Sequence, residues 1–178
     1  MPLCCWVAAL AGCGPSADIH LFQPGLAGRQ RDLRLTSEQV YWTTGNGAER
    51  ILAEFPLPGA ATGRPMYLLY LRWPAGAREL TAAGESAAGV RGFLIQTRDR
   101  YAGKASVVAG KVVVSGTSQS GKAPRRLDVE LTCEDGTRVV GHLLAWRDDY
   151  YLSCFETHRR PADVQALSHP TAASDAEG

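Results

Sequence analysis

The stretch from Met66 to Trp73, MYLLYLRW, is apolar at both alternating sets of positions, and Pro74 closes it. Such a run predicts a central strand buried on both faces. A second pattern follows later. Leu127, Val129, Leu131 and Cys133 alternate with Asp128, Glu130 and Thr132, which predicts a half-buried strand with one wet face. Asp135-Gly136 then reads as a two-residue type I′ hairpin turn, and Thr137 to Trp146 as the return strand. Arg147-Asp148-Asp149 turns again. Tyr150 to Glu156 reads as a third strand, completing a C-terminal β-meander.

Weaker patterns fill the interval between. Arg50 to Phe55 and Arg91 to Thr97 read as strands. Ala105 to Val108 and Lys111 to Ser115 read as a hairpin across Ala109-Gly110. Leu35 to Trp42 fits a short strand, or a helical turn at Thr36 to Gln39 capped by Ser37. Thr43 to Gly47 is turn chemistry. Ala75 to Gly89, rich in Ala, Gly and Glu, reads as a long loop with a weak helix. Around eight strands with little helix predict a mainly β fold: an antiparallel β-sandwich, with a barrel as the alternative. The 19 glycines and 10 prolines suit strands and turns better than long helices. The domain is expected over 35–160. Residues 13–34 read as a tether with room for a short strand at Asp18 to Phe22. Residues 161–178 read as a helical turn and a disordered polar tail.

Composition narrows the function classes. A chain of 178 residues fits one domain. A net charge of +1 gives no basic footprint for nucleic acid. There is no apolar run long enough for a spanning helix. Gly116 to Lys122, GTSQSGK, resembles a nucleotide-binding P-loop through Gly116, Gly121 and Lys122. Ala123 stands where a Mg²⁺-binding hydroxyl belongs, and Pro124 prevents a helix from opening, so a Ser/Gly loop without nucleotide is expected. His20, His142, His158 and His169 lack ligand spacing, and no metal or cofactor is expected. Ser118 and Ser120 lie in no nucleophile motif, and Asp148 and Asp149 are adjacent and point apart, so no catalytic site is expected. Tyr67, Tyr70 and Trp73 suit a core. Trp146, Tyr150 and Tyr151 flank a charged turn and are the candidate partner-binding residues.

The chain's beginning carries the most specific signal. Leu3 to Ala11 holds no charge and leads into Leu10-Ala11-Gly12-Cys13. That tetrapeptide resembles the bacterial lipobox: an aliphatic residue, two small residues and a cysteine. The resemblance implies a signal peptide over residues 1–12, cut immediately before Cys13, whose thiol carries the lipid. Gly14, rather than Asp, follows the cysteine, which implies an outer-membrane lipoprotein facing the periplasm. Several acyl chains hold a protein stably, at about 0.8 kcal/mol per buried methylene.

Of five cysteines, Cys4 and Cys5 would leave with the signal. Cys133 and Cys154 remain as a candidate disulfide in a permissive compartment. A flat meander with two-residue turns would hold them more than about 15 Å apart, too far to bridge. Either they are separate thiols or the block bends across two sheets. The expected function is a membrane-anchored envelope module that binds a protein or glycan without catalysis. The rival is an envelope enzyme or small-ligand carrier, with His142 or His158 beside a carboxylate in a pocket. A third reading is a soluble intracellular protein with a buried N-terminal strand.

Overall fold

The computed structural model describes residues 14–25, 30–56, 65–83, 89–98, 101–115 and 123–159. The P-loop-like segment, Cys13 and the C-terminal segment lie outside them. The described residues form β1 (Ser16–Pro24), β2 (Gln30–Ser37), β3 (Gln39–Gly45), β4 (Ala48–Pro56), β5 (Pro65–Pro74), β6 (Glu79–Ala83), β7 (Arg91–Arg98), β8 (Tyr101–Ser115), β9 (Arg125–Cys133) and β10 (Arg138–Arg147). A short helix α1 (Asp149–Cys154) and one π-helical turn (Phe155–Arg159) follow.

The doubly apolar run is β5, and it is central as its pattern requires. It pairs with β4 on one side and β7 on the other. Tyr67, Leu69, Leu71 and Trp73 face the main core. Leu68 and Tyr70 face a second apolar cluster.

The architecture is a closed seven-stranded barrel, β10-β3-β4-β5-β7-β8-β9 and back to β10, rather than an open sandwich. It is also mixed rather than purely antiparallel. The closing pair, β10 with β3, is parallel and joins only Trp146 to Tyr41 and Arg147 to Trp42. Strands β1 and β2 extend the wall beyond β10, and β6 lies beside β8.

Closure comes from two strands that each serve two parts of the wall. β8 runs unbroken through Ala109-Gly110, where a hairpin was expected. Its first part pairs with β7, and its second part lies between β6 and β9. The bend is a β-bulge between Val107 and Ala109, a device that turns a strand around a barrel corner. β10 pairs with β9 and β1 up to Ala145 and Leu144, then passes to β3.

The two Xaa-Gly turns resolve differently. Asn46 (φ 51°) and Gly47 (φ 70°) form the two-residue loop between Gly45 and Ala48, the type I′ pattern. At Asp135-Gly136, Cys133 and Thr137 share a ladder bond and Thr132 pairs with Arg138. The loop therefore has three residues, with Gly136 alone at positive φ (81°). Asp135 bends the loop by accepting bonds from the Thr137 amide (2.9 Å) and hydroxyl (3.0 Å).

Other expectations are corrected. Within the segment read as a tether, β1 spans Ser16–Pro24 and β2 starts at Gln30, and Ile19 and Leu21 are fully buried. Ser37 caps no helix; its hydroxyl accepts from the Gln39 amide (2.9 Å) at the corner between β2 and β3. Of the segment 75–89, the described residues 75–83 and 89 include strand β6, where a long loop with a weak helix is expected from sequence.

Tyr150 to Glu156 is helical instead of a third meander strand. Asp148 is the N-cap, and its carboxylate accepts from the Tyr151 amide at 2.7 Å. The helix buries Leu152, and Phe155 follows it, against Leu52, Leu68, Tyr70, Phe93 and Ile95 on the outside of the wall. Burying each such side chain contributes about 1.5–3 kcal/mol. Loss of the cap in Asp148→Ala is expected to cost about 1 kcal/mol, measured by urea unfolding. An unchanged midpoint would contradict the capping role.

Candidate functional site

Three places bring polar or aromatic chemistry together. The first is inside one end of the barrel. Glu49 on β4 and Arg125 on β9 are each 5% exposed. Arg125 donates to Glu49 at 3.1 Å, and the Trp73 indole N–H donates to the same carboxylate at 3.2 Å. The guanidinium lies over the Trp42 ring, 4.2 Å from its centre. Burial makes an unpaired charge expensive, so each member holds the other in place. Nearby, an open cleft of about 310 Å³ is lined by Gly47, Ala48, Arg72, Trp73, Pro74 and Arg91.

The second place is the exposed face of β2, β1, β10 and β9. Asp18 and His142 are cross-strand partners, as are His142 and Asp128. The His142 ring nitrogen Nδ1 lies 2.6 Å from Asp128, and His20 Nδ1 lies 3.1 Å from Asp32. Arg34 forks onto Asp18 at 2.9 and 2.6 Å. Those bonds hold the Asp18 carboxyl below its ordinary value. The His142 side chain is 66% exposed, so its pairing with Asp128 lies on an open face rather than in a pocket. Among the described residues, no group of three or more His, Cys, Asp or Glu is placed to hold a metal ion.

The third place is the aromatic turn after β10. Sequence grouped Trp146, Tyr150 and Tyr151; the fold divides them. Trp146 is 44% exposed and Tyr150 is 81% exposed. Tyr151 turns inward, lies tilted against Tyr41 with ring centres 4.4 Å apart, and donates its hydroxyl to buried Glu54 at 2.7 Å. Tyr150 shares a side-chain hydrogen bond with Cys154, which raises its phenol above the ordinary value.

Partly buried polar contacts fix this turn to the barrel. Glu156 accepts from Arg50 at 2.6 Å and from the Tyr70 hydroxyl at 2.8 Å. Burial pushes the Tyr70 phenol well up, and the Glu156 charge adds to it. Asp149 accepts from the Thr43 hydroxyl and from Arg147. The Arg147 bond is the main cause of its lowered carboxyl value.

Cys133 and Cys154, the candidate bridge, are free thiols. Cys133 lies in the main core at the end of β9, while Cys154 is half-buried at the end of α1. Burial pushes the Cys133 thiol up to about 12, which keeps it protonated and unreactive at neutral pH.

The Glu49–Arg125 pair escaped the sequence reading. Neither residue sits in a motif, and an Arg opening a strand looks like a surface residue. No family model, curated protein or solved structure matches this chain.

Proposed function

We propose that this chain is a bilayer-anchored bacterial envelope lipoprotein whose barrel serves as a non-enzymatic binding or accessory module for a protein or glycan partner. One observation carries the reading: the Leu10-Ala11-Gly12-Cys13 acceptor stands only three residues before Ser16, where β1 begins. Lipid attached at Cys13 would hold the folded barrel against a membrane face, facing the periplasm from the outer membrane. Tethering concentrates a module near its partners without requiring new contacts.

The filled interior supports recognition by the outer surface. Trp42, Phe55, Tyr67 and Trp73 occupy the space that a ligand-carrying barrel would leave open. The enzyme or carrier reading is less favoured, because the His142–Asp128 pair lies on an exposed strand face.

The test is the mass and location of the mature full-length chain expressed in a bacterium with two membranes. Cleavage before Cys13 and an acyl mass on it are expected. Cys13→Ala should lower the membrane-bound fraction by more than about tenfold. An unacylated, uncut chain in the soluble fraction would overturn the anchor. Turnover of an envelope substrate that is lost in His142→Ala would overturn the non-enzymatic part.

A further inference from the structure

We propose that the edge formed by Trp146 and Tyr150 is a membrane-contact surface, lying on the same bilayer that holds the Cys13 acyl chains. The inference rests on the anchoring proposed above and adds the orientation of the barrel.

Three large hydrophobic side chains are exposed among the described residues: Val108, Trp146 and Tyr150. Two of them lie close in the chain, Trp146 at the end of β10 and Tyr150 in the first turn of α1. Strand β1 begins at that same end, because Ser16 pairs with Leu144, two residues before Trp146. Three residues of chain span at most about 11 Å. That length is the most that can separate Cys13 from the start of β1, the strand end that lies two residues short of Trp146.

Side-chain chemistry fits that occupant. Trp and Tyr combine an apolar body with a polar tip and concentrate at membrane–water interfaces. The acidic residues beside them are already engaged: Asp148 caps α1, and Asp149 is held by Arg147 and Thr43. Arg126, opposite Leu144 and 62% exposed, lies at this end of the wall with its guanidinium 3.9 Å from Asp128. A protein partner would also accept Trp and Tyr, but it would give no reason for their place beside the anchor.

The test exploits where the tryptophans lie. Cleavage before Cys13 removes Trp6, while Trp42 and Trp73 are 0% and 1% exposed. Trp146 is then the tryptophan open to its surroundings. The mature acylated protein is placed in vesicles of phosphatidylethanolamine and phosphatidylglycerol, with and without brominated acyl chains. Brominated lipid is expected to quench Trp146 emission about twofold, the contact expected of a ring seated at the interface. Trp146→Phe should abolish the quenched component. Tyr150→Asp should reduce quenching while the chain stays vesicle-bound, and Tyr150→Phe should preserve it.

Trp146 that stays unquenched by brominated lipid in bound protein, and as open to aqueous acrylamide as in unacylated Cys13→Ala protein, would overturn the contact and leave the anchor standing. Shielding of Trp146 that grows with the concentration of Cys13→Ala protein in solution would assign the edge to a second copy and also overturn it. A purified chain that lacks acyl mass would instead sink the anchor itself.

Discussion

Arg125→Met is expected to destabilise the barrel by about 3–5 kcal/mol, because it strands the Glu49 carboxylate in the core. Only the Trp73 indole, at 3.2 Å, would remain among the hydrogen bonds described for that carboxylate. The substitution keeps much of the arginine's bulk over Trp42, so most of the loss comes from charge rather than from a cavity. Urea unfolding reads the effect. The double substitution Glu49→Leu with Arg125→Met should recover most of it, since an apolar pair of similar volume often matches a buried ion pair. A single substitution costing under about 1 kcal/mol would show that water reaches the pair.

Gly110→Ala is the second large effect. Its φ of 128° lies where side chains are rarely tolerated. A Cβ there would stand 2.1 Å from the Glu130 carbonyl oxygen and 2.7 Å from the Leu131 Cα. Both obstacles are backbone, so β8 and β9 would have to separate at the barrel corner. A loss of about 3–5 kcal/mol is expected. Gly103 on the same strand provides the control, because a Cβ there meets nothing within 4 Å. Gly103→Ala should stay within about 1 kcal/mol of the parent. Equal losses for the two would contradict a specific close approach at Gly110.

These residues also show where sequence patterns stop being informative. The pattern of β5 was legible because both of its faces are buried, one by the barrel interior and one by α1. The alternation of β9 was legible because one face stays wet. Ala109-Gly110 misled because a glycine needed for close strand approach has the composition of a hairpin turn. Tyr150 to Glu156 misled because Tyr150, Leu152 and Cys154 alternate, while the helical spacing of Leu152 and Phe155 and the Asp148 cap point the other way.

Closure into a barrel had no local signature at all. It depends on one parallel contact between residues more than a hundred positions apart. The candidate site was legible only in its exposed part. Trp146 and Tyr150 stood out as aromatics beside a charged turn, whereas Glu49 and Arg125 become partners only when β4 and β9 face each other across the interior.

The wiring of β10 also dictates a timetable. That strand is the shared neighbour of β9, β1 and β3, so two early strands wait for a partner made late in synthesis. An emerging chain can assemble β4, β5 and β7 as successive neighbours, yet the ring stays unjoined until Arg138 to Arg147 arrive. Long-range pairing of this kind slows folding and prolongs exposure of unpaired edges. Before β10 is in place, the polypeptide is a half-built sheet with unpaired edges.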